Sequence, residues 1–223
     1  MPEYKFEFTN TSSSKDEYIN GYVKVNANSY TEEKGYGLGN GDYHINENGC
    51  LPTGDNTIKI DVPDGFYDIT VYRKGGARAD VYNNGVQIIN NTTSSGSQNR
   101  PSGYGVMYAP RMEVIGGQIN LTIGNTSGGN ERIASVEVVR VPKKYKKQVV
   151  WIAGDSESAN YYPQNADGDD LDNNKVMMTG FGMQLEKFLS PTKYAVANFG
   201  QPSATVKTWY NECFESVKKL IQK

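Results

Sequence analysis

Alternation of apolar and polar residues runs through the chain up to about residue 141. Tyr4-Lys5-Phe6-Glu7-Phe8 alternates aromatic with charged residues, and Tyr22-Val23-Lys24-Val25 does so more weakly. Ile58-Lys59-Ile60-Asp61-Val62 puts three β-branched residues on one face, and Tyr67, Ile69 and Val71 repeat the pattern after a Pro63-Asp64-Gly65 turn. A period of two is the mark of a half-buried strand, and the turn reads as one that needs positive φ at Gly65. Asn84-Gly85 between Val81–Asn83 and Val86 predicts a tight hairpin with a mirror-image turn. Ile119, Leu121 and Ile123, then Val136, Val138 and Val141, complete the series. Eight or nine short strands with one apolar face each have to stack as two sheets. Residues 1–142 therefore read as a jelly-roll-like β-sandwich. The polar run Thr92–Pro101 reads as a long loop within it.

The pattern changes after Pro142. Residues 143–147, Lys-Lys-Tyr-Lys-Lys, read as a solvated linker rather than a polyanion site. Gln148–Ala153 is then a continuous apolar run, expected of a strand covered on both faces in a parallel sheet. Met183–Leu189 has helical spacing, Tyr194–Asn198 is a second apolar run, and Phe214, Val217, Leu220 and Ile221 line one face of a helix. Residues 148–223 thus predict βαβα, half of a doubly wound α/β domain, with the last helix lacking a strand to cover it; the chain reads as truncated.

Composition narrows the functional classes. The 223 residues hold 16 Tyr and 24 Gly, which suits a loop-rich β protein. Basic and acidic residues nearly balance, 23 against 25, so neither nucleic acid nor an anionic membrane surface is an expected partner. No run approaches the ~20 apolar residues of a membrane span. Cys50 and Cys213 read as two unpaired thiols in preference to a disulfide, and two cysteines make no zinc site. The first residues, MPEYKFEF, lack the basic and apolar regions of a secretory signal.

Gly154-Asp155-Ser156 stands at the end of the first apolar run, where reacting groups collect in α/β folds. A serine there is exposed and near the N–H groups that stabilise an oxyanion. The tripeptide alone is a common turn. With Gly180-Phe181-Gly182 and Asn198-Phe199-Gly200-Gln201-Pro202-Ser203-Ala204-Thr205, the block Ala153–Ala159 resembles the SGNH (GDSL-like) hydrolases, most closely the branch of rhamnogalacturonan acetylesterases. The resemblance covers residues 148–223. It implies the first half of a flavodoxin-like domain, Ser156 as nucleophile and backbone oxyanion donor, and Asp155 as a brace of the turn. It implies the backbone N–H of Ser203 as second donor, at a position where the family has Gly. The family's G-x-N-D segment and D-x-x-H pair do not occur. The one histidine, His44, reads as a loop residue of the first domain rather than a base. The base and its acid partner are thus absent, and the expected state is an inactive half-site.

The first 142 residues resemble, more loosely, the galactose-binding-like domains of pectin-active esterases, through Tyr4–Phe8, Gly21–Val25, Glu33–Gly37 and Asp64–Val71. Such domains bind sugars or buttress a catalytic domain. Tyr36, Tyr43, Tyr104 and Tyr108 are candidates for sugar platforms and equally for packed sheet edges. Asp167–Asp172 fails the EF-hand pattern and reads as a solvated acidic loop, so no metal or cofactor is expected. The resemblance implies an extracellular bacterial esterase that deacetylates plant cell-wall polysaccharide of pectin type. The rival is a non-catalytic accessory module carrying a hydrolase remnant.

Overall fold

The computed structural model describes residues 3–8, 17–19, 21–25, 29–39, 43–46, 49–52, 57–74, 79–89, 104–125, 132–144, 146–159, 180–185, 188–201 and 203–221. Strands β1 (Glu3–Glu7), β2 (Glu17–Ile19), β3 (Tyr22–Lys24), β4 (Tyr36–Leu38), β5 (Tyr43–Asn46) and β6 (Gly49–Pro52) come first. Next are β7 (Thr57–Asp61), β8 (Gly65–Lys74), β9 (Ala79–Asn83), β10 (Val86–Ile89), β11 (Tyr104–Val114), β12 (Gln118–Asn125) and β13 (Arg132–Val141). β14 (Gln148–Gly154), helix α1 (Phe181–Leu185) and β15 (Tyr194–Gly200) follow. The last elements are α2 (Val206–Trp209), a π-helical turn (Tyr210–Phe214) and α3 (Glu215–Leu220).

Three sheets result. The largest runs β11-β8-β13-β1-β3-β2, with β6 and then β5 added beside β13; the second runs β10-β9-β12-β7-β4. The long β13 organises the first, pairing antiparallel with β8 on one side and β1 on the other. Alternation decides which side chains enter the space between these two sheets. Tyr67, Ile69 and Val71 of β8, Val136 and Val138 of β13, Ile58 and Ile60 of β7, and Ile119 and Leu121 of β12 are all buried in one hydrophobic cluster. Burying each such aliphatic side chain contributes about 1.5–3 kcal/mol. The fully buried Tyr67 donates its hydroxyl to Pro63 O at 2.6 Å, which offsets the cost of burying it.

The turn chemistry was half legible. Asn84 (φ 49°) and Gly85 (φ 76°) close the β9–β10 hairpin with the expected mirror-image turn. Gly65, in contrast, does not have positive φ. A Cβ there would stand 3.2 Å from Arg140 Nε, which the flexible arginine side chain would have to yield to. The Asp64 carboxylate instead caps the β11–β12 turn, accepting from the N–H groups of Gly116 (2.9 Å) and Gly117 (2.8 Å).

The expected layout, a jelly-roll-like sandwich followed by the βαβα half of a flavodoxin-like domain, is not what the chain forms. The third sheet is a parallel pair, β14 with β15. Among the described residues, helix beyond it amounts to the five-residue α1 and the short rod from Val206 to Leu220. β14 is not covered on both faces: only Ile152 is buried, and Ala153 is exposed. Ala197 and Phe199 of β15 and Val217 and Leu220 of α3 instead join the same hydrophobic cluster as the two larger sheets, with Val149, Trp151 and Trp209 packed against it. An apolar run does not distinguish a strand between two helix layers from one packed onto a neighbouring β-layer.

Helix boundaries shift as well. α1 begins at Phe181 and ends at Leu185, and Phe188, expected on its apolar face, is 82% exposed. In the C-terminal rod the π-turn inserts an extra residue, so the buried positions are Cys213, Val217 and Leu220; Phe214 is half-buried and Ile221 lies exposed beyond the helix.

Candidate active site

β14 and β15 end level with one another: Gly154 is paired with Gly200, and Gln201 N donates to Gly154 O at 2.9 Å. The chain then turns sharply at Asp155–Ala159. The Asp155 carboxylate accepts the N–H of Glu157 at 3.0 Å. Its carbonyl accepts the N–H groups of Ser158 and Ala159, both at 3.1 Å, and the Ser158 hydroxyl at 2.9 Å. Ser156 stands exposed in this turn, while Ser158 and Ala159 are buried beneath it.

Glycines make room for that buried pair. A Cβ on Gly200 would come within 2.6 Å of Ala159 N, and one on Gly180 within 2.7 Å of the same atom. Cβ atoms on Gly154 and Gly182 would likewise collide with Ser158. Asn198 locks the assembly: its amide donates to Ser158 O (2.7 Å) and accepts the N–H of Gly200 (2.9 Å). Phe181 N donates to Glu157 O at 2.7 Å, tying α1 to the same turn.

The segment after β15 forms a β-turn closed by Ala204 N to Gln201 O at 3.1 Å, with Ser203 at φ 64° in its third position. Positive φ there is the type II arrangement, in which Gly is the ordinary occupant. Gln201 is held by Glu212 Oε2 (2.7 Å) and by the buried thiol of Cys213 (3.1 Å). Thr205 caps α2 in a reciprocal capping box with Thr208, and the Trp209 indole N–H donates to Phe199 O at 2.8 Å.

Between the Asp155–Ser158 turn, Phe181 and the start of α2 lies a cavity of about 460 Å³. Asp155 and Glu157 are among its lining residues, and Phe181, Val206, Trp209 and Tyr210 supply apolar and aromatic surface. Ser156 itself is not a lining residue but lies between two that are. Among the described residues, the backbone N–H groups of Ser156 and Ser203 donate to no protein acceptor.

The fold thus brings Asp155, Ser156 and Ser203 to one end of the parallel pair. It puts His44 in a strand rather than a loop: β5, paired with Leu51 of β6. Tyr36 is half-buried, 4.9 Å from the Phe6 ring, and Tyr108 donates to Asp68 at 2.7 Å, so both are packed into the sheets. The side chains of Tyr43, Tyr104 and Cys50, and the runs Thr92–Pro101 and Asp167–Asp172, lie outside the described residues. Asn198 and the aromatic wall escaped the sequence reading. Asn198 stood in a quoted block, but only the folded chain reveals that its partner is a carbonyl 40 residues away.

No known family profile matches the chain. Over 239 aligned residues, 98% of this chain, it is 24% identical to a Bacillus subtilis (strain 168) protein described as the uncharacterized esterase YxiM. The chain spans 56% of that protein's length. The crystal structure of the B. subtilis YxiM protein superposes with a TM-score of 0.68 at 22% identity, over 98% of this chain and 60% of that one. The two share a fold. The relative carries the description of an esterase with no substrate attached.

Proposed function

We propose that the chain carries the nucleophile side of a serine ester hydrolase, acting on acylated carbohydrate. The observation that carries this reading is the meeting of two strand ends at one cavity. Ser156 is exposed after β14, between the lining residues Asp155 and Glu157, and Ser203 lies in the turn that follows β15. The similarity to a described esterase over nearly the whole chain supports it.

In this reading Ser156 Oγ attacks the ester carbonyl, and the N–H groups of Ser156 and Ser203 receive the charge that develops on its oxygen. Such a donor is worth roughly 10²–10³ in rate. The bond to the sugar oxygen then breaks to release the alcohol, and water hydrolyses the acyl-Ser156 ester. Asp155 holds the turn through Glu157 N rather than exchanging protons. A serine hydroxyl needs a base. The sole histidine is His44 of β5, which is not among the cavity's described lining residues, so the test supplies a base in solution.

An external base tests this. Hydrolysis of p-nitrophenyl acetate is measured with and without imidazole, for the chain and for Ser156→Ala. The reading predicts equal rates without imidazole and an imidazole-dependent excess for the unmodified chain alone. An excess that survives Ser156→Ala would overturn it.

A further inference from the structure

We infer that the cavity selects esters of uncharged sugars and discriminates against uronate-bearing chains, with Glu157 as the residue that sets this preference. The inference rests on the esterase reading and narrows its substrate class, away from the pectin-type polysaccharide that the sequence resemblance implies.

The charge of the lining carries the argument. Among the described residues the lining carboxylates are Asp155 and Glu157, and no Lys or Arg of those residues lines the cavity. Lys207, next to the lining residue Val206, is exposed and outside the lining. Asp155 is turned to structural use by its bond to Glu157 N. The Glu157 carboxylate has no hydrogen-bond or ion-pair partner among the described residues, so its charge is neutralised by no neighbour. A ligand carboxylate entering beside it meets like charge, with no compensating cation among the described lining residues.

The aromatic part of the lining suits a neutral sugar. Phe181 and Tyr210 are 59% and 56% exposed. Tyr210 is stacked on Phe214, with centroids 4.8 Å apart and planes at 17°, which holds its ring in place. The Trp209 N–H is already committed to Phe199 O, so the indole offers carbon surface. Aromatic faces of this kind pack against the C–H face of a pyranose and against an acyl methyl group, and few polar groups are left to orient a charged one.

Calorimetric titration of the 223-residue chain with acetylated xylotetraose and with acetylated tetragalacturonate tests the inference. At low salt the neutral ligand is expected to bind roughly three- to tenfold more tightly, the size of an unscreened like-charge contact near a surface. High salt and Glu157→Gln should each shrink that gap by improving only the uronate. Uronate binding as tight as the neutral ligand's, or a gap indifferent to Glu157→Gln, overturns the preference. Binding of neither ligand overturns the sugar class. The aryl acetate assay with imidazole contains no sugar and judges Ser156 separately.

Discussion

Ser203 holds a left-handed backbone, φ 64°, that its side chain disfavours. Left-handed φ costs a non-glycine residue roughly 1–2 kcal/mol, and glycine gives back about 0.5–1 kcal/mol through its looser unfolded chain. Ser203→Gly should therefore raise stability by about 0.5 kcal/mol in urea unfolding; a loss of stability would mean that the serine side chain is making a contact of its own. Asn198→Ala acts in the other direction. It removes the donor to Ser158 O beneath the turn and one acceptor of the Gly200 N–H. Each buried unsatisfied group costs about 1–3 kcal/mol, so a drop of about 2 kcal/mol or more is expected, against under about 1 kcal/mol if water replaces the amide. The special position of residue 203 was legible, because serine stands where the resembling family has glycine. The role of Asn198 was not, since its partner is set by how two strand ends meet.

At the scale of elements, period-two burial is a local property, and the strands built on it were readable. Ile58 and Ile60, or Val136 and Val138, face inward because alternate residues of a strand must. The C-terminal elements were misread because their burial is decided by what they pack on. α3 docks against β10, and β15 against β10 and β11, so its helix face is matched to a β-layer rather than to a missing strand. The π-turn then rotates that face by one residue, which no apolar spacing announces. Two substitutions probe this. Thr205→Ala removes the cap and should cost about 1 kcal/mol. Leu220→Ala opens a cavity in the shared cluster and should cost about 2–4 kcal/mol, lowering the melting midpoint of the strand signal together with that of the helix. A strand signal that melts unchanged would show that α3 does not share the core.

For the whole molecule, tyrosine burial sets the response to alkali. Burial, and for Tyr22 and Tyr72 the nearby Glu137, hold the phenols of Tyr22, Tyr67, Tyr72 and Tyr82 above their ordinary value of 10.0. The folded chain favours the neutral phenols, so their contribution to stability is fully present below pH 10.0 and is lost as pH rises through the elevated values. Tyrosinate absorbance should thus lag behind free tyrosine during titration, and unfolding should accompany the late phase. Titration of all 16 tyrosines at the ordinary value in the folded chain would contradict the burial described.

The nucleophile is the central claim, and a fluorophosphonate probe reads it most directly. The intact chain is exposed to the probe with increasing imidazole, and the adduct is located by peptide mass beside a Ser156→Ala control. A single adduct is expected on the Asp155–Ala159 turn at Ser156, formed at a rate that rises with imidazole and absent from the control. An adduct on another residue, or none at any imidazole concentration, would contradict it.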